Sequence, residues 1–291
     1  MIQITATQEN ILRQLARYKF LTISQIASLG TAHKDYVQKS LLILRQEPLE
    51  LVGVSQYGGV YKKGEGRAEN MYYLTLKGAK FLVEHTQGLD IEQVHYPKSI
   101  GVEFRNDYQH RIYTVNVQIS FEKWIEQNGF KSLFFHSYFH KNGSMKGNDS
   151  QPLKSITKIN ITERYFIEPD AIFMYDTPTK RQLMICEVSN GKDTKRVVEQ
   201  LKTIADAIGK GVVTDHYKQE YNYTKNPRVL CVIETENLLK LVLKKMNQDP
   251  YFAPEWNQKA FFFKVVTEIK DKDFGFNWQN MKGVLCDLKE L

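Results

Sequence analysis

Residues 165–209, YFIEPDAIFMYDTPTKRQLMICEVSNGKDTKRVVEQLKTIADAIG, decide the fold. The apolar runs predict a strand over about 165–175 and a second over about 182–188, joined by the turn DTPTK. A helix follows from Asp193 or Thr194 to Gly209, with Val197, Leu201, Ile204 and Ile208 on its apolar face. So short a turn makes the two strands an antiparallel hairpin. Asp170 interrupts the first strand and Glu187 closes the second. With the turn centred near residue 178, the two carboxylates fall almost opposite each other. Directly opposed side chains have Cβ atoms about 4.5–5.5 Å apart. Buried carboxylates are costly unless paired or bound to metal. A divalent cation relieves their repulsion, because Mg²⁺ takes one or two carboxylates and completes its shell with water and phosphate oxygens. The expected ligands of Mg²⁺ or Mn²⁺ are therefore Asp170 and Glu187, in a site that polarises a phosphate and activates water.

Upstream, Tyr108, Ile112, Val115 and Ile119 recur at helical spacing, which predicts a helix over about 104–127 ended by Gly129. Glu103, Asp107 and His110 near its start are spaced to share a face. Downstream, VLCVIET (229–235) reads as a further strand. TENLLKLVLKKMN (235–247) reads as an amphipathic helix capped by Thr235 or Asn237. KAFFFKVVTEI (259–269) and GVLCDL (283–288) read as closing strands, with Trp256 and Trp278 in the core. Residues 141–160 are polar, contain Gly and Pro, and read as a long loop whose lysines Lys141, Lys146, Lys154 and Lys158 face solvent or a nucleic-acid backbone. His136 and His140 read as two positions of one strand, too far apart to chelate.

The N-terminal quarter has a different pattern. Thr7 is the expected cap of a first helix bearing Ile11, Leu12, Leu15 and Tyr18. Thr22 and Gln25 have capping-box spacing for a second helix, which Gly30 ends. A third runs from about His33 to Arg45, with Val37, Leu41 and Leu44 inward and Leu42 and Ile43 alongside them. Its other face carries Lys34, Tyr36, Gln38, Lys39 and Arg45. Two helices joined by a tight turn, the second polar and basic, form a helix-turn-helix that fits a DNA major groove. After Pro48 come two strands with a glycine-rich tip carrying Lys62, Lys63 and Arg67, a wing suited to backbone phosphates. MYYLTLKGAKFLVEH then passes from strand to helix at Thr75.

The domains expected are 1–88, a winged helix that binds DNA; 89–99, a linker around Pro97; and 100–291, the domain carrying the carboxylates. The fold class expected is α+β, an N-terminal winged helix-turn-helix plus a mixed-sheet α/β domain. With 42 % hydrophobic and 25 % charged residues the composition is that of a globular protein. The net charge of +7 favours a nucleic-acid partner without requiring one. Cys186, Cys231 and Cys286 each sit in an apolar run without CxxC spacing, which argues against structural zinc and for a reducing compartment. No signal sequence and no long apolar span is present, so the expected location is the cytoplasm, away from membranes.

The carboxylate hairpin resembles the PD-(D/E)xK nuclease superfamily, the restriction-endonuclease-like fold. Pro169-Asp170 matches the PD element, and Glu187-Val188-Ser189 matches the second element except that Ser189 stands where the family places lysine. Lys192 lies near enough in sequence to substitute, and Gln200 and Lys202 on the next helix are alternatives. Glu103 or Asp107 matches the acidic residue that some members carry on the first core helix, and on that resemblance Glu103 is the third expected metal ligand. Over most of the chain, YYLTLKG, the early His110, EPDAIF and ICEVSNG look like the replication-relaxation family, plasmid proteins related to relaxases of the MobC type. That resemblance implies metal-dependent nicking of double-stranded plasmid DNA at a transfer or replication origin, with His110, Asp107 and Lys192 beside the acidic pair. It leaves room for a homodimer and for accessory mobilisation or replication proteins. Two other readings use the same residues: a non-cleaving DNA-binding regulator or replication-initiation factor with a degenerate nuclease fold, and a restriction-type defence nuclease.

Overall fold

The structure is a computed structural model that describes residues 3–57, 67–98, 107–142, 154–191, 193–269 and 273–291. The chain forms two compact units, Met1–Val115 and Asn116–Leu291.

The first unit begins with α1 (Ala6–Tyr18). Its cap is Thr5 rather than Thr7: Thr5 Oγ1 accepts from the Gln8 N–H, and Gln8 Oε1 accepts from the Thr5 N–H. Thr5 has glutamine at the third position after it and Thr7 has asparagine, so only Thr5 closes a capping box with Gln. α2 (Ile23–Ser28) is capped by Thr22 and Gln25 in the same way. Gly30 follows it at φ +77°, a conformation glycine adopts without strain. α3 (Lys34–Arg45) buries Val37, Leu41 and Leu44 completely. Leu42 and Ile43, expected alongside that stripe, are instead 53 % and 49 % exposed. Each helical residue advances about 100° around the axis, and these two fall beyond the stripe's edge.

Strands β1 (Val52–Ser55) and β2 (Met71–Leu74) pair antiparallel, Val52 opposite Leu74. α4 (Leu76–His85) starts at Thr75, whose Oγ1 accepts from the Gly78 N–H. A Cβ on Gly78 would lie 2.0 Å from the Leu51 carbonyl oxygen, which explains the glycine of LTLKG. Three helices, a two-stranded wing and a fourth helix are the expected winged helix-turn-helix. Residues 89–98 do not simply span from one domain to the next. They carry a 3-10 turn at Ile91–Gln93, the buried Val94, and a His95 N–H that donates to Ala16 O. α5 (Tyr108–Gln127) begins in this unit, where the Tyr108 hydroxyl donates to Glu69 O and the Arg111 guanidinium lies 4.5 Å from the Phe20 ring centre. The two compact units divide within α5.

The second unit continues with β3 (Lys131–Ser137). Two small hairpins follow, β4 (Lys141–Asn142) with β5 (Lys154–Ser155) and β6 (Ile159–Asn160) with β7 (Phe166–Ile167), so the ends of the expected long loop are paired strands. Then come β8 (Ala171–Asp176), β9 (Arg181–Ser189), α6 (Thr194–Gly209), α7 (Val212–Tyr221), β10 (Arg228–Ile233), α8 (Glu236–Gln248), α9 (Glu255–Ala260), β11 (Phe261–Val265), β12 (Trp278–Asn280) and β13 (Leu285–Cys286). The strand expected over 165–175 is broken in two at Glu168–Asp170, where Pro169 supplies no ladder donor. The mixed sheet has the order β13-β12-β11-β10-β9-β8-β3. β3, β8 and β9 are antiparallel neighbours, and β9, β10 and β11 are parallel. Parallel pairs need crossover connections; α6 and α7 supply one and α8 and α9 the other. α5, the carboxylate hairpin β8–β9, α6 and the further strand β10 follow in the order expected from sequence, with β3 added beside β8 and α7 inserted before β10.

Alternation sorts the side chains between the two faces of the sheet. Ile172, Met174, Leu183 and Ile185 join the apolar residues of α6 and α8. Phe173 and Tyr175 point the other way and meet Phe121 and Trp124 of α5. Trp278 is buried as expected, but Trp256 is exposed. His136 and His140 do not share a strand. β3 ends at Ser137, and His140 folds back after a turn so that its Nδ1 accepts from the Ser137 N–H.

Candidate functional site

Asp170, immediately before β8, lies against Glu187, two residues from the end of β9. The ladder places Ala171 opposite Cys186, so the next position on each strand sets Asp170 against Glu187. Both point to the α6 face, with Ile172 and Ile185. They are 7 % and 3 % exposed. Asp170 Oδ2 accepts from the Val188 N–H at 2.6 Å, which fixes that carboxylate against the opposite strand. Glu187 Oε2 accepts from Gln200 Nε2 at 2.5 Å, from the second turn of α6.

Burial pushes the Glu187 carboxyl well above the usual carboxylate range, and the Asp170 charge and a hydrogen bond between the two side chains push it further. The pair therefore favours holding one proton when nothing positive lies between its members. Burial, followed by the charges of Asp170 and Glu187, also raises the Cys186 thiol. Cys231, opposite Glu187 on β10, is raised by burial and then by the Glu187 charge. Neither is a thiolate nucleophile at neutral pH.

Ser189 is buried on the face that carries Glu187, and its carbonyl accepts from the Glu234 N–H. Of the expected helpers, Gln200 reaches the pair. Lys202 does not, because it bridges Asp249 at 2.6 Å and Glu199 at 3.3 Å. Lys192, Glu103, Lys62 and Lys63 lie outside the described residues. Asp107 forms an ion pair with Arg111 one helical turn on, within the first unit. His110 lies on the same stretch of α5, where its carbonyl accepts from Thr114 Oγ1. Among the described residues no group of three or more His, Cys, Asp or Glu could hold a metal ion. The protein contribution to any cation here is two carboxylates, which suits Mg²⁺ because it retains water and phosphate ligands.

In the winged helix, Lys34, Tyr36, Gln38, Lys39 and Arg45 are all exposed on α3. Arg67 is exposed where β2 is approached and reaches Gln56 Oε1 at 3.4 Å.

One feature escaped the sequence reading. A cavity of about 380 Å³ opens beside Glu187, lined by Arg164, Tyr165, Phe166, Glu168, Gln200 and Thr203 among others. Residues 162–165, TERY, form the turn of the β6–β7 hairpin, although the strand expected over 165–175 began at Tyr165; their polar start was the signal for the turn.

No family model and no curated protein matches this chain. A structure of restriction endonuclease FokI aligns with a TM-score of 0.30 and 11 % identity, over 94 % of this chain and 46 % of that one. The chain thus spans under half the length of that neighbour. No helix among the described residues is long and apolar enough to cross a membrane.

Proposed function

We propose that this protein is a metal-dependent DNA endonuclease that cuts through Asp170 and Glu187. The observation that carries the reading is the opposition of these two buried carboxylates at adjacent strand ends, with Glu187 facing an open cavity. Such a pair is costly to keep ionised. A cation ligated by it turns that cost into a use, and both the α-β-β-β-α-β order and the PD motif support nuclease chemistry over a chance pairing.

Mg²⁺ or Mn²⁺ bound there would polarise the scissile phosphate and lower the pKa of a water. Asp170, pinned by the Val188 N–H, is the fixed ligand. Glu187 is the ligand that gives up a proton, and Gln200 orients its outer oxygen. The winged helix supplies duplex binding, with Lys34, Tyr36, Gln38, Lys39 and Arg45 toward the groove and Arg67, with Lys62 and Lys63, toward phosphates. The domain limits proposed from sequence, 1–88 and 100–291 around a linker, assign these tasks to separate parts of the chain. The motif order shared with the replication-relaxation family supplies the proposed substrate, origin DNA of a plasmid, nicked on one strand. Glu103, Asp107, His110 and Lys192 are retained as accessory positions on that resemblance alone.

One observation favours a second reading, a DNA-binding regulator that no longer cuts. Ser189 replaces the family's lysine, and the group on Glu187 is the neutral amide of Gln200. The two readings separate on supercoiled plasmid carrying the protein's own origin region. In Mg²⁺ or Mn²⁺ the nuclease reading expects open circles from wild type and none from Asp170→Ala or Glu187→Ala. Tight binding with no cleavage in either metal selects the regulator.

A further inference from the structure

We infer that the cavity beside Glu187 seats one unpaired nucleotide, with its base stacked on Tyr165 and its phosphate drawn to Arg164. The inference takes its class of ligand from the nuclease reading and adds how the substrate is held. The cavity's volume of about 380 Å³ lies at the small end of the roughly 300–1,000 Å³ typical of small-ligand sites. That space suits a single nucleotide and excludes a duplex.

One side of the cavity is the tip of the β6–β7 hairpin, and the other is α6. The tip is a fixed turn. Thr162 Oγ1 accepts from the N–H groups of Arg164 and Tyr165, while the Tyr165 carbonyl accepts from those of Ile161 and Thr162. Ile159 and Ile167 anchor the hairpin in the core. Despite this order, Tyr165 and Phe166 are 55 % and 43 % exposed. Aromatic rings held out to solvent beside cations are the platforms on which unpaired bases stack. The cations are present: Arg164 lines the cavity, and the Lys158 ammonium lies 3.4 Å from the Phe166 ring centre. Glu168 and Glu187 line it too, so the phosphate belongs at the Arg164 end. Gln200 and Thr203 lie across from the hairpin; because Gln200 Nε2 donates to Glu187 and Thr203 Oγ1 donates to Glu199 O, what they offer a base edge is chiefly acceptor capacity. A base inside a duplex has no free face for stacking and no free Watson–Crick edge, so the occupant is a single-stranded, frayed or extruded nucleotide.

The test uses the full chain in EDTA, with a short oligothymidylate carrying one 2-aminopurine, single-stranded or annealed to its complement. Stacking is worth about 1–3 kcal/mol per base, so Tyr165→Ala should weaken single-strand binding roughly 5- to 150-fold. It should also abolish the quenching of 2-aminopurine, which Tyr165→Phe should preserve. Arg164→Ala should weaken binding with the quenching retained at saturation, and duplex binding should be unchanged in all three variants. Single-strand affinity and quenching that are unaltered in Tyr165→Ala would overturn the proposal. The plasmid assay reports separately: cleavage with Tyr165-independent binding removes the nucleotide seat and keeps the nuclease, whereas Tyr165-dependent quenching without cleavage does the reverse.

Discussion

Gln200 donates its side-chain N–H to Glu187 Oε2 at 2.5 Å, from a helix that follows the carboxylate strand in sequence. This bond joins α6 to the acidic pair. Hydrogen bonds to charged groups are worth about 1.5–3 kcal/mol. Gln200→Ala is expected to slow plasmid cleavage roughly 10-fold or more at saturating Mg²⁺, with a smaller effect on duplex affinity. Single-turnover cleavage and filter binding on the same DNA would separate the two.

The acidic pair has a pH signature in the metal-free protein. The Glu187 carboxyl is raised in the folded state, chiefly by burial and then by Asp170. The folded protein thus holds a proton that the unfolded chain releases above about pH 4.3. Its stabilising contribution is complete below that pH and is lost as pH rises toward the folded value. Glu187→Gln, which mimics the protonated form, is expected to raise the melting temperature at pH 8 in EDTA and to change it little at pH 4. Melts at the two pH values check this.

His136 gives the opposite dependence. Burial lowers its pKa to about 4, with Glu220 opposing and His216 assisting the shift. Its ring stacks on Phe134. Between about pH 6.5 and pH 4 the unfolded chain takes up a proton that the folded ring refuses, so stability falls through that window as pH falls. His136→Phe is expected to flatten this part of the profile. Urea denaturation at pH 7 and pH 4.5 measures it.

Gly78 tests the winged helix by packing. A Cβ there would meet the Leu51 carbonyl oxygen at 2.0 Å. Overpacking of this kind costs about 1–3 kcal/mol. Gly78→Ala is expected to destabilise the protein by that amount in urea melts, although alanine is the better helix former.

The exposed face of α3 tests the DNA interface. Lys39→Ala is expected to weaken duplex binding and to reduce the slope of log affinity against log salt by about 1, the signature of one lost phosphate contact. Titrations at several salt concentrations provide the slope.

What sequence could show depended on how local the determinants are. The opposition of Asp170 and Glu187 was legible because a short turn fixes the register of a hairpin, and both faces of the sheet are buried. Thr22 was legible as a cap, and Thr75 as the point where strand gives way to helix, because capping is a short-range bond. Choosing Thr5 over Thr7 depended on what stood at the third position onward, Gln8 or Asn10. Leu42 and Ile43 were misplaced by weighing hydrophobicity over spacing, since the roughly 100° advance per residue already sets them beyond the Val37–Leu41–Leu44 stripe. Gln200 was one helper among several until α6 was placed, since the bond to Glu187 depends on how the helix packs on the sheet. The cavity was not legible, because it needs the Thr162 turn, α6 and the end of β9 together.

The most direct measurement is Mn²⁺ binding followed by electron paramagnetic resonance, on protein bound to uncleaved duplex. Wild type should take up one Mn²⁺ that Asp170→Asn and Glu187→Gln each weaken at least 10-fold. Uptake that is absent in wild type, or equal in all three proteins, would contradict a cation site built on Asp170 and Glu187.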